Sequence, residues 1–269
     1  MQRDYSWDQP QPHGPDGITV YGPLNWVAPF TNRCSLRFDP RCMSRSWKGQ
    51  MTNILHVSCS PRGHDSESHR LSEQIIAFLL ERDPMAIVID RAIGGGAVPP
   101  VDKDYAISQE SAEDISQSGS ADLSNRLIQE LENADYVVVG TPVHNFTVPS
   151  TLKAWIDHIA RVRRTFDVTS DGKVGKLRDR PIFIAVSSGG RYSGERARQP
   201  DFLTPYLQAV FGMIGLHDLT FFSVQGTAFG GDAVAAARSK TDQALRAYFA
   251  SKQPASHGLD LQATARMQD

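Results

Sequence analysis

The chain has 269 residues, 40% hydrophobic and 22% charged, with a formal net charge of −2 and a pI of about 6.4. That composition is ordinary for a globular protein, and the near balance of charge excludes the basic surface that nucleic-acid binding requires. No apolar run reaches the roughly 18 residues of a membrane span, and three cysteines (Cys34, Cys42, Cys59) are too few and too scattered for a disulfide framework or a zinc site, which points to a reducing, cytoplasmic compartment.

Residues 1–50 differ from the rest. They hold Pro10, Pro12, Pro15, Pro23, Pro29 and Pro40 and three of the four tryptophans, Trp7, Trp26 and Trp47. No sustained period of 2 or 3.6 runs through them, so no packed element is assigned there. Four aspartates (Asp4, Asp8, Asp16, Asp39) argue against a transit peptide, and the apolar core of a secretory signal is missing. The stretch reads as a disordered tail, or as residues upstream of a true start at Met51.

From Met51 the pattern is regular. "NILHVS" is a short apolar strand, followed by the loop "CSPRGHDSES". Residues 67–82 carry Leu71, Ile75, Ile76, Leu79 and Leu80 at helical spacing. "AIVIDR" is a second strand, "GGGAVPP" a loop, and a polar helical stretch with Leu123, Leu127 and Leu131 as its stripe follows. "DYVVVGTP" is a third strand, almost wholly apolar, as a strand covered on both faces should be. "PSTLKAWIDHIARV" is a helix with Pro149 near its first turn. "TSDGKVGKL" reads as a turn or short hairpin, "PIFIAVSS" as a fourth strand, "DFLTPYLQAVFGMIG" as a helix, "LTFFSVQ" as a fifth strand and "DAVAAARSKTDQALRAYFAS" as the last helix. The tail, 252–269, is expected to be frayed.

Five strands alternating with helices predict an α/β domain over residues 51–251, a doubly wound parallel sheet with helices on both faces. The flavodoxin-like strand order 2-1-3-4-5 suits it, and ligands then sit at the carboxyl ends of strands 1, 3 and 4. The first of these loops offers Ser58, Ser60, Ser66 and Ser68, Arg62, and the amides that open the next helix, an arrangement suited to an anion. Ser66 or Ser68 also reads as a plain N-cap. Neither G-x-x-x-x-G-K-[ST] nor G-x-G-x-x-G is present, so a single phosphate fits better than a triphosphate or a dinucleotide. The second loop places Asn145 and Phe146 directly after a buried strand, where they can meet the edge and face of a flat ring; His144 beside them is a stacking group, a proton donor or a solvated side chain. The third, "SSGGRYSGE", has Gly189 and Gly190, which allow close backbone approach. No Ser/His/Asp triad, paired carboxylates or metal cluster is visible in the spacing. Asp157 and His158 read as a solvated helix face, and Cys59 as a small core residue.

Taken together, the Ser-rich loop, the P-x-x-N-F loop (142–146) leading into S-T-L-K-x-x-x-D-x-x-A-R (150–161), the S-x-G-G loop (187–190) and T-P-Y-L…F-G-x-I-G (204–215) resemble the FMN-dependent NADH:quinone oxidoreductases, also called FMN-dependent NADH-azoreductases. The resemblance covers residues 52 to about 250. It implies that Ser60, Ser66, Glu67 and Ser68 hold the FMN phosphate, that Val143, His144, Asn145 and Phe146 lie along the isoalloxazine, and that Ser187, Ser188, Gly189 and Gly190 line its pyrimidine and dimethylbenzene surroundings. It further implies two-electron transfer from NADH or NADPH to quinones or azo compounds by a ping-pong mechanism, with His144 as the one candidate proton donor. A homodimer is implied as well, with Phe211 and Met213 serving its contact or the core. Val143-His144 stands where the family often has Met-Tyr, Ser188 where an Arg is common, and Val168 in place of a Tyr, departures that bear on substrate and nicotinamide preference. Two other readings compete. A flavodoxin-type electron carrier is disfavoured by the mild charge from Met51 onward, 22 Lys and Arg against 26 Asp and Glu. A phosphoester hydrolase built on Cys59 is disfavoured because His64 stands five residues on, where a C-x5-R cradle needs Arg.

Overall fold

The computed structural model describes residues 18–21, 51–110 and 119–252; the other expectations for the two ends of the chain fall outside the described residues. In chain order the elements are β1 (Ile18–Tyr21), β2 (Asn53–Ser58), α1 (Glu67–Arg82), β3 (Ile87–Ala92), α2 (Lys103–Glu110), α3 (Gly119–Asn133), β4 (Tyr136–Pro142), α4 (Ser150–Ile159), β5 (Phe166–Thr169), β6 (Gly172–Gly175), β7 (Ile182–Ser188), α5 (Leu203–Met213), β8 (Leu219–Gln225) and α6 (Gly231–Ser251).

The main sheet runs β1-β3-β2-β4-β7-β8. Its β3-β2-β4-β7-β8 part is parallel, and β1 pairs antiparallel with β3. The sheet therefore departs from a bare five-stranded 2-1-3-4-5 arrangement by one added edge strand. This corrects the reading that residues 1–50 contain no packed element. The short run Ile-Thr-Val-Tyr has no period of its own, but it suits an extended conformation, and β3 offers it an open row of amides and carbonyls. The expected hairpin forms from β5 and β6, and α2 is a helix the periodicity did not separate from α3.

Alternation along each strand divides the core in two. Leu55 and Val57 of β2, Val137 and Val139 of β4, and Ile182, Ile184 and Val186 of β7 face α3, α4 and α5. Ile54, Val138, Phe183 and Ala185 face the opposite way, onto Leu71, Ile75 and Leu79 of α1 and Leu245 and Phe249 of α6. Burial on both faces explains why these strands read as unbroken apolar runs. Phe211 is fully buried, its ring 6.4 Å from that of Trp155, so it is a core residue; Met213 packs partly buried at the margin of the same cluster. His158 corrects the reading of a solvated face. It is fully buried, and its Nε2 hydrogen-bonds to the Pro99 carbonyl at 2.9 Å, because the inner face of α4 closes against the loop after β3. Asp157 beside it stays outside, paired with Lys153 at 2.6 Å. Among the described residues no helix is long and apolar enough to cross a membrane.

Candidate active site

Winding the sheet this way brings the three loops to one edge. The Cys59 amide donates to the Gly140 carbonyl at 2.8 Å, tying the loop after β2 to the end of β4, and the Val143 amide donates to the Ser187 carbonyl at 2.8 Å, tying the loop after β4 to the end of β7. The loop after β8 closes the edge, with the Gly226 amide donating to the Ser188 and Gly190 carbonyls at 2.9 and 3.0 Å.

The first loop turns through a short 3-10 segment (Gly63–Asp65) into α1. Ser66 is the N-cap: its Oγ accepts from the His69 amide at 3.2 Å and donates to the Gly63 carbonyl at 2.9 Å. The Ser66 amide also donates to Gly63. An α-helix leaves its first amides without internal acceptors. Here those of Glu67 and Ser68 remain open among the described residues, aligned with the positive end of the helix. Ser60 lies close by, buried, with its Oγ accepting from the Arg62 amide at 3.2 Å. The approach of α1 to β4 requires glycine at 140, where a Cβ would lie 2.8 Å from Ser72 Oγ and 3.0 Å from the Ser68 carbonyl.

Glu67 has its side chain engaged elsewhere. Its carboxylate accepts from Arg238 Nε at 2.9 Å and from Arg70 Nε at 3.2 Å. The Arg238 hydrogen bond holds its pKa below 4.5 against the opposing effect of burial, with Arg70 adding to the shift. What Glu67 offers an anion is its amide. Glu67→Gln is therefore expected to remove about 1 kcal/mol or less of stability, measured by urea denaturation, from a half-exposed ion pair. Because the folded-state pKa is depressed, that contribution is present above pH 4.5 and is lost as the pH falls through the folded value.

The second loop is a tight reversal. His144 and Thr147 exchange backbone hydrogen bonds of 2.9 and 3.0 Å, and the two residues between them, Asn145 and Phe146, have φ of 48° and 72°. Two positive φ values are the mark of a two-residue type I′ turn, which favours Asn-Gly. Asn tolerates this conformation; a bulky Phe is strained in it by about 1–2 kcal/mol. The strain holds the ring out at the edge, 46% exposed, beside the exposed His144 and Asn145. Phe146→Gly is expected to raise stability by about 0.5–1 kcal/mol in urea denaturation.

In the third loop Ser187 and Ser188 are buried. Gln199 Nε2 donates to Ser188 Oγ at 3.3 Å, and Gly189 and Gly190 are half-exposed. A separate groove of about 880 Å³ lies between β8 and α6, lined by Arg191, Phe222, Gln225 and Lys240 among others. None of the sequence-predicted site residues lines it. Cys59 is fully buried, and burial pushes its thiol pKa far up, only partly offset by a hydrogen bond with Thr141. The hydrolase reading thereby loses its nucleophile.

Beneath the first loop lies a histidine cluster that the sequence spacing did not reveal. His56 on β2 and His69 on α1 are 1% and 5% exposed, with rings 5.4 Å apart. His69 Nδ1 is 3.1 Å from Ser58 Oγ, and its Nε2 is 2.7 Å from Nδ1 of the exposed His64. Burial lowers the pKa of His69 to about 4, helped by His56 and His64 and opposed by Asp90.

The flavodoxin-like fold family model matches residues 52–249. An FMN-dependent NADH:quinone oxidoreductase of Pseudomonas fluorescens is 43% identical over 195 residues, 72% of this chain and 94% of that protein. One of Burkholderia lata is 42% identical over 193 residues, 72% and 94% of the two chains. A crystal structure of an FMN-dependent NADH-azoreductase from Bacillus anthracis in complex with FMN shares the fold with a TM-score of 0.61 at 24% identity, covering 74% of this chain and 99% of that one. With its cradle, turn and Gly-Gly loop on one sheet edge, and with these relatives, the chain belongs to the FMN-dependent NADH:quinone oxidoreductase family of flavodoxin-like proteins.

Proposed function

We propose that this chain is an FMN-dependent oxidoreductase that carries two electrons from NADH or NADPH to quinones and aromatic azo compounds, each leaving before the other docks. Its working unit spans residues 51–251, acts in the cytoplasm and pairs as a homodimer. One observation carries the reading: an anion cradle with two open helix amides shares its sheet edge with an exposed, strained Asn-Phe turn. The relatives' names supply the cofactor and the donor.

FMN, when bound, supplies the two-electron redox chemistry. The chain's residues bind, orient and polarise. The Glu67 and Ser68 amides, with the Ser60 hydroxyl, would receive the phosphate by hydrogen bonds and helix dipole, and Ser66 would hold the loop as the N-cap. Val143, His144, Asn145 and Phe146 set the face and edge of the ring pocket, and Ser187, Ser188, Gly189 and Gly190 its far side. Backbone amides near Asn145 and the Gly pair would face the ring edge, where they would favour negative charge. His144, exposed beside that edge, is the group placed to hand a proton to the acceptor.

Initial rates measured over a grid of NADH and quinone concentrations test the order of events. Parallel double-reciprocal lines are expected. Intersecting lines, which mean that donor and acceptor are bound together, would overturn the alternating use of one pocket.

A further inference from the structure

In the histidine cluster below the first loop, two carboxylates face one imidazole nitrogen. Ser72 Oγ donates its single hydrogen to the His69 carbonyl at 2.8 Å. Toward His56 Nε2, also at 2.8 Å, it can therefore only accept, so Nε2 carries a proton. In the neutral ring Nδ1 is then a bare lone pair. It faces Asp90 Oδ1 at 3.1 Å and Glu73 Oε1 at 3.6 Å. Asp90 Oδ1 is buried, and among the described residues His56 is the partner set against it. Glu73 Oε1 also stands 3.8 Å from His69 Nε2. Two imidazole nitrogens and the Glu73 carboxylate thus converge, with Asp90 against His56.

We propose that His56 Nδ1, His69 Nε2 and Glu73 Oε1 form a binding site for a divalent metal ion of the zinc class, with Asp90 Oδ1 beside His56. The His56, His69 and Glu73 donor atoms all lie within 4.8 Å of one another. A tetrahedral zinc with bonds of about 2.0–2.1 Å holds its ligand atoms about 3.3 Å apart, and the His56–Glu73 and His69–Glu73 separations of 3.6 and 3.8 Å lie close to that value. Imidazole with carboxylate suits zinc better than calcium or magnesium, which prefer oxygen alone. The outer contacts match a metal centre too. Ser72 fixes the His56 tautomer and Ser58 meets the far nitrogen of His69, so each ring is oriented by a partner behind it. His64 gives up its hydrogen bond to His69 Nε2 when the ion enters. The carboxylates come from different elements: Asp90 lies opposite His56 in the β2-β3 register, and Glu73 stands one helical turn after His69. The site does not depend on what the flavin edge binds.

The test uses the full-length, FMN-loaded protein, stripped with EDTA and titrated with zinc sulfate against a chromophoric chelator. One zinc per chain is expected. Glu73→Gln, at a side chain 55% exposed and so tolerated by the fold, and His69→Gln should each weaken binding about a hundredfold, and Ser72→Ala about tenfold. No stoichiometric uptake would overturn the proposal. So would uptake unchanged in Glu73→Gln and His69→Gln, which places the ion elsewhere on the chain. Nitrogen NMR that finds His56 protonated on both nitrogens in the zinc-treated protein would assign the gap between the ring and the carboxylates to a proton instead.

Discussion

Replacing Gly94 by alanine should release the flavin. Gly94 follows β3, and the chain there runs against the first loop so closely that an added Cβ would lie 1.9 Å from the Ser60 carbonyl oxygen, 2.3 Å from its carbon and 3.0 Å from the Pro61 nitrogen. All three are backbone atoms, so no rotamer relieves the contact. The loop carrying Ser60 has to move, and with it the hydroxyl paired to the Arg62 amide. Overpacking of this kind costs about 1–3 kcal/mol of stability. A displaced cradle should lower FMN affinity at least tenfold, about 1.4 kcal/mol. Gly95→Ala is the matched control, since nothing lies within 4 Å of a Cβ there, and it should bind FMN like the parent. Fluorescence titration of the two apoproteins decides it. Equal affinity in both would mean that Ser60 does not hold the phosphate.

The second large effect is at Trp155, which anchors α4 behind the strained turn. Its side chain is fully buried among residues of α3, α4 and α5, and its indole Nε1 has no hydrogen-bond partner among the described residues. Trp155→Ala removes a large ring from a close-packed cluster and should cost about 3–5 kcal/mol. Trp155→Phe keeps much of the ring and removes the unsatisfied donor, so relief of desolvation offsets part of the lost volume. About 1–2 kcal/mol is expected for that change. Urea denaturation of both variants checks the contrast. A phenylalanine variant as unstable as the alanine one would show that the indole N–H is satisfied in solution.

Much of this could be read from residue patterns, where local signals agreed with the fold. Glu67–Arg82 was legible because the Leu71, Ile75, Ile76 and Leu79 stripe has helical spacing and Ser66 stands at its start. β4 and β7 were legible because burial on both faces leaves no polar interruption. The meeting of the Ser, Asn-Phe and Gly-Gly loops at one sheet edge was legible because the strand order places the carboxyl ends of those strands side by side. What escaped depends on long-range contact. β1 exists through the free edge of β3. The reversal at Asn145-Phe146 escaped because Phe gives no signal for positive φ; the surrounding chain imposes it. His158 looked solvated because Asp157 beside it is, although a helix turns neighbouring residues in different directions. The histidine cluster joins two strands and a helix, and only the β2-α1-β3 winding brings His56, His69, Glu73 and Asp90 together.

The most direct test of the central claim is the visible absorbance spectrum of the protein incubated with FMN and freed of excess, recorded without oxygen before and after NADH and again after a quinone. The account predicts flavin bands that bleach with NADH and return with the quinone. A protein that retains no flavin would contradict it.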